Sequence, residues 1–271
     1  MKKKIPVKNI GMYTFLVLVC FFSVIPFFWM ICAASNRSID IIKGRMFFGT
    51  YLFENIKNLA ASVSLGQAFW NSLRNSIIGT AASLFICSMA GYGFQMYRSK
   101  NKDRLISVLL LSMMVPFASI MVPLFKIFSQ AHLLDTTLGF ILPSISTAFL
   151  IFFFRQSSVS FPYEIVQAAR VDGMGEFGIY LRIYLPVMSP TFVAAGIVTF
   201  MNCWNNYLWP LIIMQRQESQ TLPLMITSLT SGYTTDYGIL MLAVTICTLP
   251  TVSIFFALQK HFVAGILGSV K

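Results

Sequence analysis

Residues 10–36 read IGMYTFLVLVCFFSVIPFFWMICAASN, a stretch without Asp, Glu, Lys or Arg. A bilayer core about 30 Å thick is crossed by roughly 20 helical residues, and one charge at the helix centre costs about 2.5–3.5 kcal/mol. Five further charge-free windows follow, at 75–97, 105–125, 136–154, 183–215 and 237–259. The sequence therefore predicts an all-α integral membrane protein with six transmembrane helices.

The basic residues predict how these helices are oriented. Six spans place both termini on one side of the membrane, and that side carries most of the Lys and Arg of the termini and short loops. These residues are Lys2, Lys3, Lys4, Lys8, Arg98, Lys100, Lys102, Arg104, Arg155, Arg170, Arg182, Lys260 and Lys271. We therefore expect both termini in the cytoplasm. The net charge of +11 then reflects topology rather than binding to nucleic acid, and membrane lipid is the expected surrounding.

Motifs for catalysis are missing from the sequence. It has no GxxxxGK[ST] phosphate loop, no HExxH and no GxSxG, and its five cysteines all fall inside predicted spans without CxxC spacing. We expect no catalytic residues, no metal site and no cofactor on this chain. All nine acidic residues lie outside the predicted spans, which disfavours an ion-coupled carrier with an intramembrane carboxylate. Backbone carbonyls at broken helices can also hold sodium, so that class stays open.

The segment 155–182, RQSSVSFPYEIVQAARVDGMGEFGIYLR, separates the fourth and fifth windows. Ser160 is a candidate cap and Pro162 suits the first turn of a short helix. Gly173 can end that helix because glycine tolerates a positive φ, and a second short helix is expected to begin near Glu176.

Two interpretations of this loop remain open from the pattern. The paired alanines Ala168 and Ala169 give a low-relief surface that a groove on another protein could accept. Candidate anchors around them are Tyr163, Ile165, Met174 and Phe177. Alternatively, the loop is an amphipathic linker that lies on its own helix bundle.

The same loop resembles the signature of inner-membrane permeases of binding-protein-dependent ABC importers: EAA, three residues, G, nine residues, I, one residue, LP. The matching residues are Ala168, Ala169, Gly173, Ile183, Leu185 and Pro186, with Asp172 also fitting. Gln167 stands in place of the leading glutamate, a change that keeps size and hydrogen bonding but removes a charge. Met174 replaces the alanine that often follows the glycine.

The resemblance extends to the carbohydrate branch of that family, typified by the smaller subunit of the maltose permease. Its markers here, weak individually but in the same order, are Phe69, Trp70, Asn71, Ser72, Tyr92, Phe94, Pro116, Pro123, Trp204, Asn205 and the tail from Gln259 to Lys271. The resemblance implies a carbohydrate importer permease, with an oligosaccharide as the expected solute. Alternatives are a permease for glycerol phosphate or polyols, an ion-coupled secondary transporter, and a membrane adaptor that only docks a partner.

The resemblance also implies a fold, partners and a location. It implies a type I ABC importer permease of the bacterial inner membrane, with a cytoplasmic coupling helix between helices 4 and 5 that docks on an ATPase. The partners would be an unlike permease subunit, two ATPase subunits that bind ATP and Mg, and an extracytoplasmic solute-binding protein. The docking residues would be Gln167, Ala168, Ala169, Asp172, Gly173, Met174, Phe177, Ile183, Leu185 and Pro186. We divide the chain into 1–74, with the first helix and a long outer loop, and 75–271, with five helices and the coupling loop 155–186.

A polar cluster interrupts the fifth window. It consists of Asn202, Trp204, Asn205, Asn206 and Tyr207. Such amides either form hydrogen bonds between helices or line the path of a solute, whose hydroxyls suit amides and aromatic faces. On one continuous helix two adjacent asparagines point in different directions, so we expect only one of them to line the path.

Overall fold

The computed structural model describes residues 7–97, 99–232 and 234–268, and side chains for 10–97, 99–232 and 234–259. Over these residues the chain is helical and contains no strand. Several basic residues used to predict the orientation lie outside the described residues, namely Lys2, Lys3, Lys4, Arg98 and Lys271, and the side chains of Lys8 and Lys260 are not described. The terminal orientation therefore stays a prediction.

Three helices can each cross a membrane unaided. They are α1 (Val7–Ala33), α4 (Leu65–Met96) and α15 (Tyr237–Gly268), and each contains an apolar segment of sufficient length. They cover the first, second and sixth charge-free windows. The absence of charge was therefore a sufficient signal for these three spans.

The other three windows correspond to helices that bend at a short break. α5 (Lys100–Ser112) meets α6 (Phe117–Gln130) at 97°, and α7 (Thr137–Ile141), extended by a 3₁₀ turn to Ser144, meets α8 (Ala148–Ser157) at 55°. The third pair, Glu176–Val187 and Ser189–Ile213, bends by 81°. Prolines flank all three breaks. Proline favours a break because it has no N–H to donate and its ring clashes with the preceding helical turn. Counting each pair as one span gives up to six spans over the described residues, as predicted.

The third pair contains several elements. α10 (Glu176–Ile179) continues through a π-helical turn, Tyr180–Tyr184, into α11 (Leu185–Val187). After the bend come α12 (Ser189–Trp204) and α13 (Leu208–Ile213). The remaining helices are α2 (Ser38–Ile42), α3 (Leu52–Ser62), α9 (Tyr163–Val171) and α14 (Leu222–Ser228).

The chain packs as two compact units. The first comprises the chain up to Leu65 together with Met225–Leu249, and the second comprises Gly66–Leu224 together with the chain from Pro250. The division at residues 74 and 75 drawn from the sequence concerned membrane spans and stays a prediction. Residue 74 itself lies inside α4.

Buried amides hold the first unit together. Asn36 donates from Nδ2 to the carbonyls of Cys32 and Phe47, both at 2.8 Å. Asn55 donates to the carbonyls of Ala34 at 2.9 Å and Asn36 at 3.0 Å. Gly238 lies against these groups, where an added Cβ would come within 2.6 Å of the Asn36 carbonyl oxygen. Only glycine fits at that position.

The second unit contains both sets of residues singled out in the sequence. One hydrophobic cluster lies beneath the loop helices, by which we mean α9 and α10, and includes Tyr92, Val166, Ala169, Tyr180 and Tyr184. Another surrounds Trp209 and includes Phe128, Phe140, Cys203 and Ile213. These two clusters position the sites described next.

Candidate functional site

The first loop helix, α9, begins differently from the prediction. Ser160 does not cap it, because its hydroxyl donates to the Ser157 carbonyl at 3.0 Å within a 3₁₀ turn. Pro162 occupies the N-cap position rather than the first turn and provides no side-chain cap. Burial of Val166 and Ala169 against the bundle therefore stabilises this helix in place of a side-chain cap.

The end of α9 agrees with the prediction. Gly173 has a φ of 78°, in the left-handed region that glycine tolerates. Its N–H donates to the Arg170 carbonyl at 3.0 Å, and the N–H of Met174 donates to the Ala169 carbonyl at 2.9 Å. These bonds satisfy carbonyls that the helix end would otherwise leave open. The second loop helix, α10, starts at Glu176, as the sequence predicted.

The two alanines face opposite ways. Ala169 is 5% exposed and packs with Val166 on the cluster beneath, whereas Gln167 and Ala168 are exposed. The linker interpretation thus describes Ala169, and the docking interpretation describes Ala168. Ala169 fixes α9 on its own bundle, and Ala168 lies on the outer surface.

The other predicted docking residues are spread around this surface. Asp172, Gly173, Phe177 and Pro186 are exposed, whereas Met174, Ile183 and Leu185 are half-buried. Of the candidate anchors, Tyr163 and Ile165 are exposed as well. Sequence reasoning missed Val171, which is 89% exposed and has the largest exposed fraction of the large hydrophobic side chains described. Its signal was an isolated apolar residue between Arg170 and Asp172.

Tyrosine hydroxyls fasten the loop helices to neighbouring helices. Tyr180 shares a hydrogen bond of 2.7 Å with Ser88 of α4, and Tyr184 shares one of 2.6 Å with Ser158, just after α8. The Tyr92 ring packs against both, with its centroid 5.7 Å from that of Tyr180 and 4.8 Å from that of Tyr184, and the two tyrosines stack on each other at 5.6 Å. Tyr180 and Tyr184 begin and end the π-helical turn.

Arg170 joins the two loop helices across the Gly173 break. Its Nε donates to Glu176 Oε1 at 2.6 Å, and its Nη1 donates to the Tyr163 hydroxyl at 3.2 Å. Its guanidinium also lies 5.4 Å from the centroid of the Tyr97 ring, at the end of α4. The hydrogen bond to Glu176 raises the pKa of Arg170, which precedes the third bent pair of helices and remains charged near neutral pH.

The asparagine cluster lines a cavity of about 470 Å³. α12 ends at Trp204, Asn205 leaves the helical path, and α13 starts only at Leu208. Because the helix is interrupted here, Asn205 and Asn206 both line the cavity, together with Asn202 and Tyr207. The expectation that only one of the adjacent asparagines lines the solute path assumed a continuous helix, which the break after Trp204 removes; which of them lines a solute path stays a prediction.

Trp204 does not line this cavity. It is 1% exposed, its ring meets that of Phe69 edge-on at 5.6 Å, and it stacks on Phe200 at 5.9 Å. Sequence reasoning missed other lining residues, namely Phe117, Phe140, Pro143, Ser144, Thr147, Leu208 and Trp209. Pro116 and Pro143 could have indicated some of them, because they flank the breaks that bring these residues to the cavity.

The polar groups of the cavity differ in how they are satisfied. Asn205 Nδ2 donates to the Met201 carbonyl at 2.9 Å, and Trp209 Nε1 donates to the Gly139 carbonyl at 2.9 Å. Within the described residues, the side-chain amides of Asn202 and Asn206 make no hydrogen bond. No Lys, Arg, Asp or Glu is among the lining residues.

An aspartate clasp holds the chain that follows α13. Asp135 has a φ of 59°, and its N–H donates to the Ile213 carbonyl at 3.0 Å. Its carboxylate accepts from the N–H of Arg216 at 2.9 Å and from the Ser219 hydroxyl. Burial alone would raise the pKa of Asp135, but these hydrogen bonds outweigh burial and lower it. The Asp135 carboxylate therefore stays ionised, and its hydrogen bonds hold the chain just after α13 in place.

Comparison with known proteins identifies the family. The family described as "Binding-protein-dependent transport system inner membrane component" matches residues 83–268. The chain is 46% identical to the lactose transport system permease protein LacG of Rhizobium radiobacter, over all of this chain and 98% of that protein. It is 41% identical to the arabinooligosaccharides transport system permease protein AraQ of Bacillus subtilis, over 75% of this chain and 73% of that protein.

A solved structure supports the fold. A chain of a bacterial ABC transporter involved in the import of the acidic polysaccharide alginate matches with a TM-score of 0.80. The match covers 97% of this chain and all of that chain at 17% identity. This likeness shows a shared fold. Together with the family match and the full-length relatives, it establishes that the chain belongs to the inner-membrane permease components of binding-protein-dependent transport systems.

Proposed function

We propose that the chain is a permease subunit of an ATP-driven importer that carries a carbohydrate, most suitably an oligosaccharide, across the cytoplasmic membrane. The full-length similarity to a permease named for lactose supports this solute class, as does the similarity to one named for arabinooligosaccharides. The alternative solutes, glycerol phosphates and polyols, are tested as separate outcomes below.

The chain is expected to be non-catalytic and to depend on partners for energy. Its sequence lacks a phosphate-binding loop, so ATP and Mg would bind to two partner ATPase subunits. An unlike permease subunit and an extracytoplasmic binding protein complete the proposed assembly. In this assembly both termini and the loop helices face the cytoplasm.

One observation supports a docking role for the loop helices. α9 and α10 are fixed to their own bundle by buried residues such as Ala169 and Ile179, yet they present Ala168, Val171 and Phe177 outward. A small residue beside large apolar ones suits a groove that receives a helix. We propose that this surface transmits closure of the ATPase pair to the membrane helices.

We further propose that the solute passes the cavity beside α12. Asn202, Asn205, Asn206 and Tyr207 line it, and Trp204 packs α12 against Phe69 of α4. Amides and aromatic rings in a membrane span are costly to expose to lipid, so a hydrated path is the expected surrounding.

The experiment is uptake by cells that lack this gene, with and without a plasmid copy. Radiolabelled lactose, arabinotriose and maltotriose are compared with sn-glycerol 3-phosphate and glycerol. We expect ATP-dependent, gene-dependent uptake of at least one saccharide, and co-purification of this chain with an ATPase subunit. Gene-dependent uptake of only glycerol 3-phosphate or glycerol would instead support the alternative. Uptake that persists without ATP but collapses with the ion gradient would contradict the importer assignment.

A further inference from the structure

We infer that the cavity beside α12 is a binding subsite for one uncharged sugar ring, so that this subunit itself selects among solutes. The inference rests on the proposed import function and deepens it. A binding protein would select first, and the cavity would discriminate again within the membrane. The residues assigned to this step are Asn202, Asn206, Tyr207, Phe117 and Trp209.

Accessible amides without a protein partner are the first argument. Each asparagine amide offers two N–H donors and a carbonyl acceptor. Asn202 is exposed and Asn206 is half-buried, and neither uses these groups within the described part of the chain, although both lie in an otherwise apolar span. Hydroxyl groups of a sugar both donate and accept, and so can pair with an amide in either sense. The neighbouring Asn205 already donates one N–H to the Met201 carbonyl and is therefore partly committed to the protein.

The walls of the cavity are the second argument. Trp209 is 1% exposed and held by its bond to the Gly139 carbonyl, so it fixes the wall from behind rather than offering a face of its own. The Phe117 ring stands edge-on to it, with centroids 6.0 Å apart, and is 37% exposed. Phe117 and the half-buried Tyr207 provide the aromatic surface for the C–H face of a pyranose. The volume of about 470 Å³ lies within the range of about 300–1,000 Å³ that is usual for small-molecule sites.

The absence of charge is the third argument, and it separates the solute classes. No cationic side chain is among the residues that line the cavity. Proteins recognise phosphate and carboxylate groups mainly with Arg and Lys, whose charge replaces the lost hydration of the anion. The cavity therefore favours neutral saccharides and disfavours sn-glycerol 3-phosphate, for which it offers no counter-charge.

The test uses the complete importer in proteoliposomes, with the saccharide that the wild type imports fastest among lactose, arabinotriose and maltotriose. Asn202→Leu and Asn206→Leu keep side-chain size while removing the amide. Each is expected to lower solute imported per ATP hydrolysed by about 3- to 10-fold, the effect of one lost hydrogen bond. Hydrolysis stimulated by the solute-loaded binding protein should persist. Asn205→Ala should lose less, because its N–H is already committed to Met201.

Thiol labelling provides a second readout if a leucine variant does not assemble. Asn206→Cys is placed in a background with Cys20→Ser, because Cys20 is an exposed cysteine. The saccharide should slow its modification by a water-soluble thiol reagent, and sn-glycerol 3-phosphate should not.

Two results overturn the subsite. One is unchanged solute import per ATP in both leucine variants, and the other is labelling that the saccharide does not slow or that both solutes slow equally. A wild-type importer that carries none of the saccharides is a different result. That result would contradict the proposed carbohydrate import itself, on which the subsite depends.

Discussion

The loop helices and the cavity differ in how many of their polar side chains find a partner within the protein. Around the loop helices, Arg170 pairs with Glu176 and Tyr163, and the hydroxyls of Tyr180 and Tyr184 bond to serines. Arg170 Nη2 and the Tyr92 hydroxyl are exceptions, because both are buried without a partner among the described residues. In the cavity, the amides of Asn202 and Asn206 have no partner among the described residues. A region whose polar groups are paired internally is rigid and presents a shaped surface. A region whose polar groups have no protein partner is suited to a solute that binds and leaves in each transport cycle.

The largest expected effect comes from Ala168→Arg. Ala168 is exposed, so the chain should still fold and assemble in the membrane, but a long cation should obstruct a close-fitting groove. A lost contact at the centre of an interface costs about 2 kcal/mol or more, roughly 30-fold in affinity. Co-purification of the ATPase and solute-stimulated hydrolysis should both fall.

Ala169→Arg is the matched variant for that prediction. Because Ala169 is 5% exposed and packs on the cluster that contains Val166, arginine there should damage the fold of this chain itself. Thermal unfolding followed in detergent distinguishes the two variants. Equal destabilisation by both would remove the distinction between an outward and an inward alanine.

Gly173→Val tests whether the break between the loop helices matters. An added Cβ at Gly173 or at Gly175 would meet no atom within 4 Å, but φ is 78° at the first and −69° at the second. Valine at Gly173 should therefore strain the backbone by about 1–3 kcal/mol, whereas Gly175→Val should not. We expect solute-stimulated ATP hydrolysis to fall in the first variant only. A similar loss in both would mean that bulk, not backbone angle, is responsible.

Arg170→Gln should have a smaller effect, because partly exposed ion pairs are weak. It removes the bond between α9 and α10 while leaving each helix intact. Import is expected to fall roughly two- to fivefold, and more steeply at low salt, where the charges interact most strongly. Arg182→Gln is the control, since Arg182 is exposed and has no ion pair within the described residues. Equal losses in both variants would indicate a general need for positive charge.

The smallest expected effect is that of Gln167→Glu. Gln167 is exposed and lies one helical turn before Arg170, so a carboxylate there adds one weak pair on the surface of α9. Import should change by less than about twofold. A large change measured in the same uptake assay would reveal a charged partner for this position on the docked ATPase.

Sequence alone predicted the parts of this molecule that depend on local chemistry. Runs without charge predicted the segments that give up to six spans over the described residues, and the conformational freedom of glycine predicted the end of α9 at Gly173. The orientation of the alanines was not predictable without the helix phase, which the buried contact of Val166 establishes. The interruption after Trp204 was also missed, although Pro210 signals it, because proline has no N–H for the Asn206 carbonyl and its ring clashes with that carbonyl in a continuous helix. Packing around Trp209, whose indole bonds to Gly139 far along the chain, accompanies that interruption.

The most direct test of this account measures ATP hydrolysis and saccharide import together, in the same proteoliposomes, for Ala168→Arg and Asn206→Leu. The account predicts that the first variant loses both activities, because the ATPase no longer docks. It predicts that the second retains solute-stimulated hydrolysis but imports less solute per ATP. Wild-type hydrolysis and import in Ala168→Arg would contradict the assignment of the loop helices as the docking element.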